Sequence, residues 1–369
     1  VSPMRVVVLG LSLSSSWGNG HATTYRALLR AFAGRGHEVL FLERDVPWYA
    51  PHRDLAEPEF CRLALYRDLD ELRGWQDMMA TADAVILGSY VPEGVAVGRM
   101  VQSVARGVTA FYDIDTPVTL AKLERGDEEY LSPALIPGFD LYLSFTGGPT
   151  LGLLEHRYGS PAARQLACSA DPAAYAPQDL PPRWDLSYLG TYSLDRQPVL
   201  ECLLLEPARQ APDLHFVVAG PQYPSSIDWP ANVERIDHVP PADHPAFYAR
   251  SRFTLNVTRA DMVQAGHSPS VRLFEAGACG VPIISDIWDG LGDLFVPGQE
   301  IILADGPGAV LEALQQMSEA RRSDMAMALR RRVLGAHTAA HRAGELEMHL
   351  RTAIARRAAA LPALSIHHS

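Results

Sequence analysis

The chain has 369 residues, 47% hydrophobic and 20% charged, the balance of an ordinary globular protein. That length is more than one core usually fills, so two domains are predicted. The formal net charge of -11 excludes a broad nucleic-acid surface, which phosphate backbones require to be basic, but allows a local basic pocket for one small phosphate-bearing ligand.

In chain order, apolar runs alternate with helix-patterned segments. RVVVLGLSL reads as a central parallel strand; Gly10 and Ser12 break it, and no cleavage-site pattern follows, so it is not read as a signal peptide. HATTYRALLRAFAGRG reads as a helix ending at Gly34 and Gly36, and HEVLFLE as a strand. Residues 57–79 are charged and are predicted to be helical. DAVILGS, VTAFYDID, DLYLSFT and RQLACS read as strands, with helices predicted over EGVAVGRMVQSVA and GPTLGLLEHRYG. SADPAAYAPQDLPPRWD then carries Pro172, Pro177, Pro181 and Pro182 and is taken as an interdomain linker.

Alternation restarts beyond it. LSYLGTY, HFVVAGP, NVERIDHV, RFTLNVT, VPIIS and QEIILA are predicted strands, and QPVLECLLLEPAR and ADHPAFYARS predicted helices. Ala- and Arg-rich helices fill the chain from Gly308 to Ala360. No run approaches 18 apolar residues, so no transmembrane segment is expected. Cys61, Cys168, Cys202 and Cys279 are widely separated in apolar stretches, which excludes a CxxC pair or zinc-ligand spacing and fits a reducing cytoplasm. The fold class predicted is α/β, with two Rossmann-like, doubly wound domains facing across a cleft. Ligands of such sheets sit beyond the carboxyl ends of the strands.

Those strand ends carry the candidate chemistry. Gly18, Asn19 and Gly20 precede a helix start at His21, where glycines allow close approach and helix amides favour anions; a plain turn is the alternative. His21 is a candidate base, or an N-cap or solvent-facing residue. Asp113 and Asp115 end a strand as a D-x-D pair. They are read as metal-binding, as catalytic or substrate-orienting, or, for Asp115, as a cap on the Thr116–Pro117 turn. Glu43 ends the second strand without a clear ribose-binding pattern. In the second half, Gly190, Thr191 and Arg196 form a candidate phosphate loop, and Gly220, His238, Thr258 and Arg259 sit on further loops at the cleft.

The segment HSPSVRLFEAGACGVPIISD joins a helix to an apolar strand. Ser268 is predicted as its N-cap, Pro269 as its first residue and Gly280 as its stop, giving about three turns. Arg272 and Glu275 then lie one turn apart, either as a surface ion pair or as ligand contacts near the core.

SPSVRLFEAGACGVPIIS resembles the nucleotide-binding segment of GT-B glycosyltransferases of the "glycosyl transferases group 1" type, usually E-x7-E ending in E-A-x-A-x-G-x-P. GNGHATTYRALLRAFAGRGHEV is similar to that group's N-terminal loop, helix and turn, and CSADPAAYAP occupies the place of its linker. YDIDTPVTLAKLERG, YLGTYSLDRQP and TLNVTRADMVQAGHSPSVRLFEA resemble the CgeB-like (spore-maturation-protein-like) branch. The resemblance implies residues 1–170 as the acceptor-side domain, 171–184 as linker, 185–340 as the nucleotide-sugar-binding domain, and 341–369 as a helix returning to the first domain and a tail. It implies Glu275 on the donor ribose and His267 at the sugar-contact position, where the wider group has glutamate. It also implies diphosphate contacts from the amides of residues 268–271 (Ser268, Ser270 and Val271 among them), with Arg196 as the neutralising cation and Arg272 orienting Glu275 or assisting the phosphates. Gly18 to His21 would line the opposite wall, and Asp113 and Asp115 would lie near the reacting centre.

The activity implied is transfer of a sugar from a nucleotide-diphosphate sugar to an acceptor, without metal or cofactor, with a weak lean toward retention. A nucleotide-sugar 2-epimerase and a non-catalytic nucleotide-sugar or glycan-binding protein are the rival readings. A nicotinamide dehydrogenase lacks the third glycine of its fingerprint.

Overall fold

The computed structural model describes residues 2–360. Its strands are β1 (Arg5–Gly10), β2 (Glu38–Arg44), β3 (Arg62–Tyr66), β4 (Ala84–Gly88), β5 (Val108–Asp113), β6 (Leu141–Ser144) and β7 (Ala163–Gln165), then β8 (Trp184–Leu189), β9 (Phe216–Ala219), β10 (Val233–Ile236), β11 (Ser251–Asn256), β12 (Ile283–Ser285) and β13 (Ile302–Leu303). The first seven form one sheet in the order β3-β2-β1-β4-β5-β6-β7, the last six another in the order β10-β9-β8-β11-β12-β13. All pairings in both sheets are parallel. Helices cover both faces, which is why β1, β4 and β5 are apolar and buried almost throughout. Strand order reverses between β1 and β4 and between β8 and β11, and the crevices those reversals open face each other.

The C-terminal helix Ala339–Ala360 crosses back onto the first domain. There Glu347 pairs with Arg35 just beyond the helix His21–Ala33 (2.6 Å), and Arg351 donates to the Ser2 carbonyl (2.8 Å). Ala170 and Thr338, where the chain passes between the sheets in each direction, form an isolated parallel bridge. Its bonds run from the Ala170 amide to the His337 carbonyl (3.2 Å) and from the Ala339 amide to the Ala170 carbonyl (2.8 Å). The tail predicted after residue 360 lies outside the described residues. Among the described residues, no helix is long and apolar enough to cross a membrane.

Three local expectations change. The charged stretch 57–79 is not one helix: RLALY is strand β3, at the edge of the first sheet, and short helices Leu69–Arg73 and Gln76–Thr81 follow. Half-exposed on the sheet edge, its pattern mimics an amphipathic helix. Residues Thr116–Glu124, read only as a turn after Asp115, form a helix. The helix of the segment beginning at His267 spans Val271–Ala278, about two turns rather than three. Its N-cap is Ser270, whose hydroxyl accepts the Arg272 amide (3.1 Å), and not Ser268.

Candidate active site

The first-domain wall is built on the loop after β1. Glu43, at the end of β2, is fully buried and organises that loop, accepting from the Leu13 amide (2.7 Å), the Ser14 amide (2.9 Å) and the Ser14 hydroxyl (2.6 Å). A buried carboxylate needs such donors. Gly18 takes a left-handed φ of 67° in open space, so the turn's conformation, not crowding, calls for glycine. Asn19 accepts the Ala22 amide at the helix start (3.1 Å).

His21 is the first residue of that helix and is buried. It makes no cap and does not face solvent; its Nε2 lies 2.7 Å from Asp115 Oδ2, and its Nδ1 has no partner. Asp115 stands at the N-cap position of Thr116–Glu124, but its side chain makes no cap bond, which overturns the turn-capping reading. Its Oδ2 takes His21 and the Ser89 hydroxyl (3.3 Å), and the side chain lines the cleft. Burial alone would raise this carboxyl. The His21 ring beside it, with Arg259 across the cleft and the Ser89 bond, outweighs burial and holds it below its usual range.

Asp113 behaves differently and corrects its expected place at the reacting centre. It is fully buried, turned away from the cleft, and accepts from the Tyr142 hydroxyl (2.6 Å), the Thr119 hydroxyl (2.9 Å) and the Asp115 amide (3.0 Å). Burial pushes its carboxyl up to about 7. It positions Asp115 through the backbone. The D-x-D metal reading fails on the same geometry, because the two carboxylates point to separate partners. Among the described residues, no three His, Cys, Asp or Glu side chains gather to hold a metal ion.

The second-domain wall comes from the ends of β8, β9, β10 and β11 and from the Val271–Ala278 helix. Gly190, Thr191, Arg196, Gly220, His238 and Arg259 all reach the cleft, as do Ser270, Val271 and Arg272. The cleft encloses about 440 Å³. Gly220 has φ 143°, and a Cβ there would collide with the Gly190 carbonyl, so the two loops touch backbone to backbone. Arg196 Nη2 donates to the Thr191 carbonyl (2.7 Å), while its Nε is buried without a partner. Arg259 Nε lies 3.7 Å from Asp195 and makes no hydrogen bond. Both arginines line the cleft, and their guanidinium charge is suited to an anion.

Glu275 does not line the cleft. It is fully buried behind Arg272, whose Nη1 donates to Oε2 (2.6 Å), and its Oε1 has no partner. His244 Nδ1 lies 3.7 Å away; that nitrogen faces the Tyr175 hydroxyl (3.2 Å), while Nε2 donates to the Val239 carbonyl (3.1 Å). Burial would raise the Glu275 carboxyl, but Arg272 and His244 prevail and hold it at about 2. The exposed member of the pair is Arg272. A direct ribose contact from Glu275 therefore does not fit this arrangement; Arg272 presents the charge.

His267 and Ser268 also leave the donor wall and instead join the domains. His267, at φ 47°, accepts the Gly147 amide (3.0 Å) and donates its own amide to the Asp289 carbonyl (2.6 Å). Its ring fills the space beside Gly148 and Gly290. Ser268 Oγ meets Thr146 Oγ1 at 2.8 Å.

Sequence reasoning passed over Tyr49, Ser89, Tyr90 and His244. Tyr90 follows the carboxyl end of β4, so the rule that singled out Asp115 could have found it. His244 sits on a helix and carries no such signal.

Residues 196–348 match a family model described as "Glycosyl transferase-like". No curated protein sequence matches the chain. Many solved structures are similar over nearly all of it, among them the three that follow. Sucrose-phosphate synthase from Thermosynechococcus elongatus has a TM-score of 0.71 at 15% identity, over 96% of this chain and 100% of that one. Anabaena Alr3699/HepE, in complex with UDP and glucose, has 0.71 at 12%, over 95% and 100%. An alpha-glucosyltransferase in complex with UDP has 0.71 at 12%, over 94% and 100%. At such identities the likeness concerns the fold: this chain has the two-domain GT-B fold, and its second half carries a glycosyl transferase-like segment.

Proposed function

We propose that the chain is a glycosyltransferase that moves a hexose from a UDP-sugar to an acceptor in the interdomain cleft. The observation that carries this reading is the pairing of walls: three arginines, Arg196, Arg259 and Arg272, face a carboxylate–imidazole pair, Asp115 and His21, across one cavity. The match of residues 196–348 supports it, as do the UDP and glucose in the HepE complex and the UDP in the alpha-glucosyltransferase complex. The YDIDTPVTLAKLERG and YLGTYSLDRQP motifs support placement in the CgeB-like branch.

The donor diphosphate lies on the arginine wall. As the anomeric C–O bond breaks, negative charge grows on the leaving phosphate, and preorganised guanidinium groups and the amides at the Val271–Ala278 helix start stabilise it. Arginine supplies this charge here in place of a metal ion. The sugar becomes oxocarbenium-like as the acceptor oxygen bonds to its anomeric carbon. Asp115 stays ionised beside it. A carboxyl held below its usual range is a poor base at neutral pH but a good fixed counter-charge. Retention, toward which the E-x7-E-like segment leans, would pass the acceptor proton to the leaving phosphate oxygen, whereas inversion would pass it to His21, the imidazole paired with Asp115.

The test is a panel of UDP-, TDP- and GDP-sugars without acceptor, read by nucleotide release and thermal stabilisation. UDP-sugars should stabilise the protein and be hydrolysed slowly. Binding without turnover, even with cell-extract acceptors, would point to a binding protein, and formation of an epimeric sugar to an epimerase.

A further inference from the structure

The two walls of the cleft differ in charge. The second-domain wall presents Arg196, Arg259 and Arg272. Among the described residues, no lysine or arginine of the first domain lines the cleft; its ionisable groups there are His21, Asp115, Cys168 and the tyrosines Tyr49 and Tyr90. The cations behind that wall are already committed to carboxylates. Arg26 pairs with Asp54 (2.5 Å), Arg53 with Asp45, and Lys122 with Asp127 and Glu129 (2.7 Å each). The positive end of the His21–Ala33 helix has its counter-charge in Asp115, bonded to the helix's first side chain.

An anionic acceptor on this wall would bring its charge toward Asp115, and the cation nearest that carboxylate, Arg259 across the cleft, is already balanced by Asp115 and Asp195. What the wall offers instead is aromatic and hydroxyl surface: Tyr49, Tyr90 and Phe145 with Thr23 and Asn19. Tyr90 holds a left-handed φ of 60° and stands edge-on to the His21 ring, centroids 6.0 Å apart. A strained tyrosine survives where its side chain is wanted in one place. Ring edges and hydroxyls of this kind suit a sugar, which shows C–H faces and a rim of hydroxyls.

We propose that the acceptor is a neutral sugar ring, free or ending an uncharged glycan, seated on the first-domain wall with one hydroxyl beside Asp115. Sugar phosphates, uronic acids and nucleic-acid strands are rejected there. This inference rests on the glycosyl-transfer reading and narrows it.

The full chain is given UDP-glucose, or the panel member that releases most nucleotide, and release is followed with added D-glucose, cellobiose, glucose 6-phosphate, glucuronic acid or a single-stranded oligonucleotide. A neutral sugar should raise release about tenfold or more over hydrolysis, and the anionic additions should leave it at the hydrolytic rate. Stimulation by glucose 6-phosphate or glucuronic acid equal to that by glucose overturns the proposal and leaves glycosyl transfer standing; so does slow hydrolysis that no neutral sugar stimulates. Absence of both nucleotide binding and release across the donor panel removes the underlying reading, and this one with it. Thr23→Arg places a cation on the wall and should shift preference toward glucose 6-phosphate by about tenfold. An unchanged preference would show that wall charge does not select.

Discussion

His21–Asp115 and Arg272–Glu275 are the same device turned in opposite directions. Each joins a cation or imidazole near a helix start to a carboxylate, and each stands on one wall of the cleft. In the first the carboxylate is the more open member, 15% exposed against 8% for His21; in the second the cation is, 30% against 0%. Depth decides the sign. Asp115 sits on a loop beyond β5, whereas Glu275 lies within its helix, facing inward to His244 and Tyr175. The sign that each wall shows therefore comes from which partner reaches solvent, not from which residues are present.

The sharpest way to break this comparison is Glu275→Ala. It leaves Arg272 half-buried without its anion, and removing one member of a buried pair costs roughly 3 to 5 kcal/mol. Read from the sequence as a ribose contact, Glu275 is predicted to cost binding more than folding. Its burial reverses that order, and urea unfolding beside UDP titration separates the two. The pH sign follows. The carboxyl is held at about 2 against an ordinary 4.5, so its contribution to stability is complete above pH 4.5 and is lost as pH falls from there toward 2. Glu275→Gln should lack that loss, and equal acid sensitivity in both proteins would contradict the pairing.

Asp115→Asn attacks the other pair. It should lower kcat about 100-fold or more, while UDP affinity and unfolding midpoint change little. Loss of affinity with unchanged kcat would move Asp115 to the donor wall. Arg196→Ala should weaken UDP binding by roughly 1.5 to 3 kcal/mol, as expected for losing charged hydrogen bonds, with little effect on folding. A calorimetric titration reads this directly. The smallest effect is expected from His267→Asn. Asparagine tolerates the left-handed φ, and the ring does not line the cleft, so UDP affinity should stay within about 0.5 kcal/mol of wild type. A larger loss would restore His267 to the donor site.

The central strands and the sites at their ends were legible because parallel strands buried on both faces read as continuous apolar runs, as in VVVLG and AVILG. Asp115, Arg196 and Arg259 followed from lying at such ends. What escaped was direction. Asp113 and Asp115 are two residues apart, yet only a histidine 94 residues distant shows which carboxylate turns to the cleft. Ser268 and Ser270 are equally good caps by type, and the choice is made by Thr146 of the other domain, which takes Ser268. RLALY was hidden because an edge strand keeps one side wet. Each miss needed a contact between distant segments, which one strand or helix cannot declare.

The bridge between Ala170 and Thr338 bears on all of this. The chain passes between the two sheets twice, and the two passages are hydrogen-bonded side by side instead of lying apart. The two domains are thus stitched at two places, at this paired crossing and at the bonds from Gly147 to His267 and between Thr146 and Ser268, and the span between the arginine wall and the Asp115 wall is fixed by both seams.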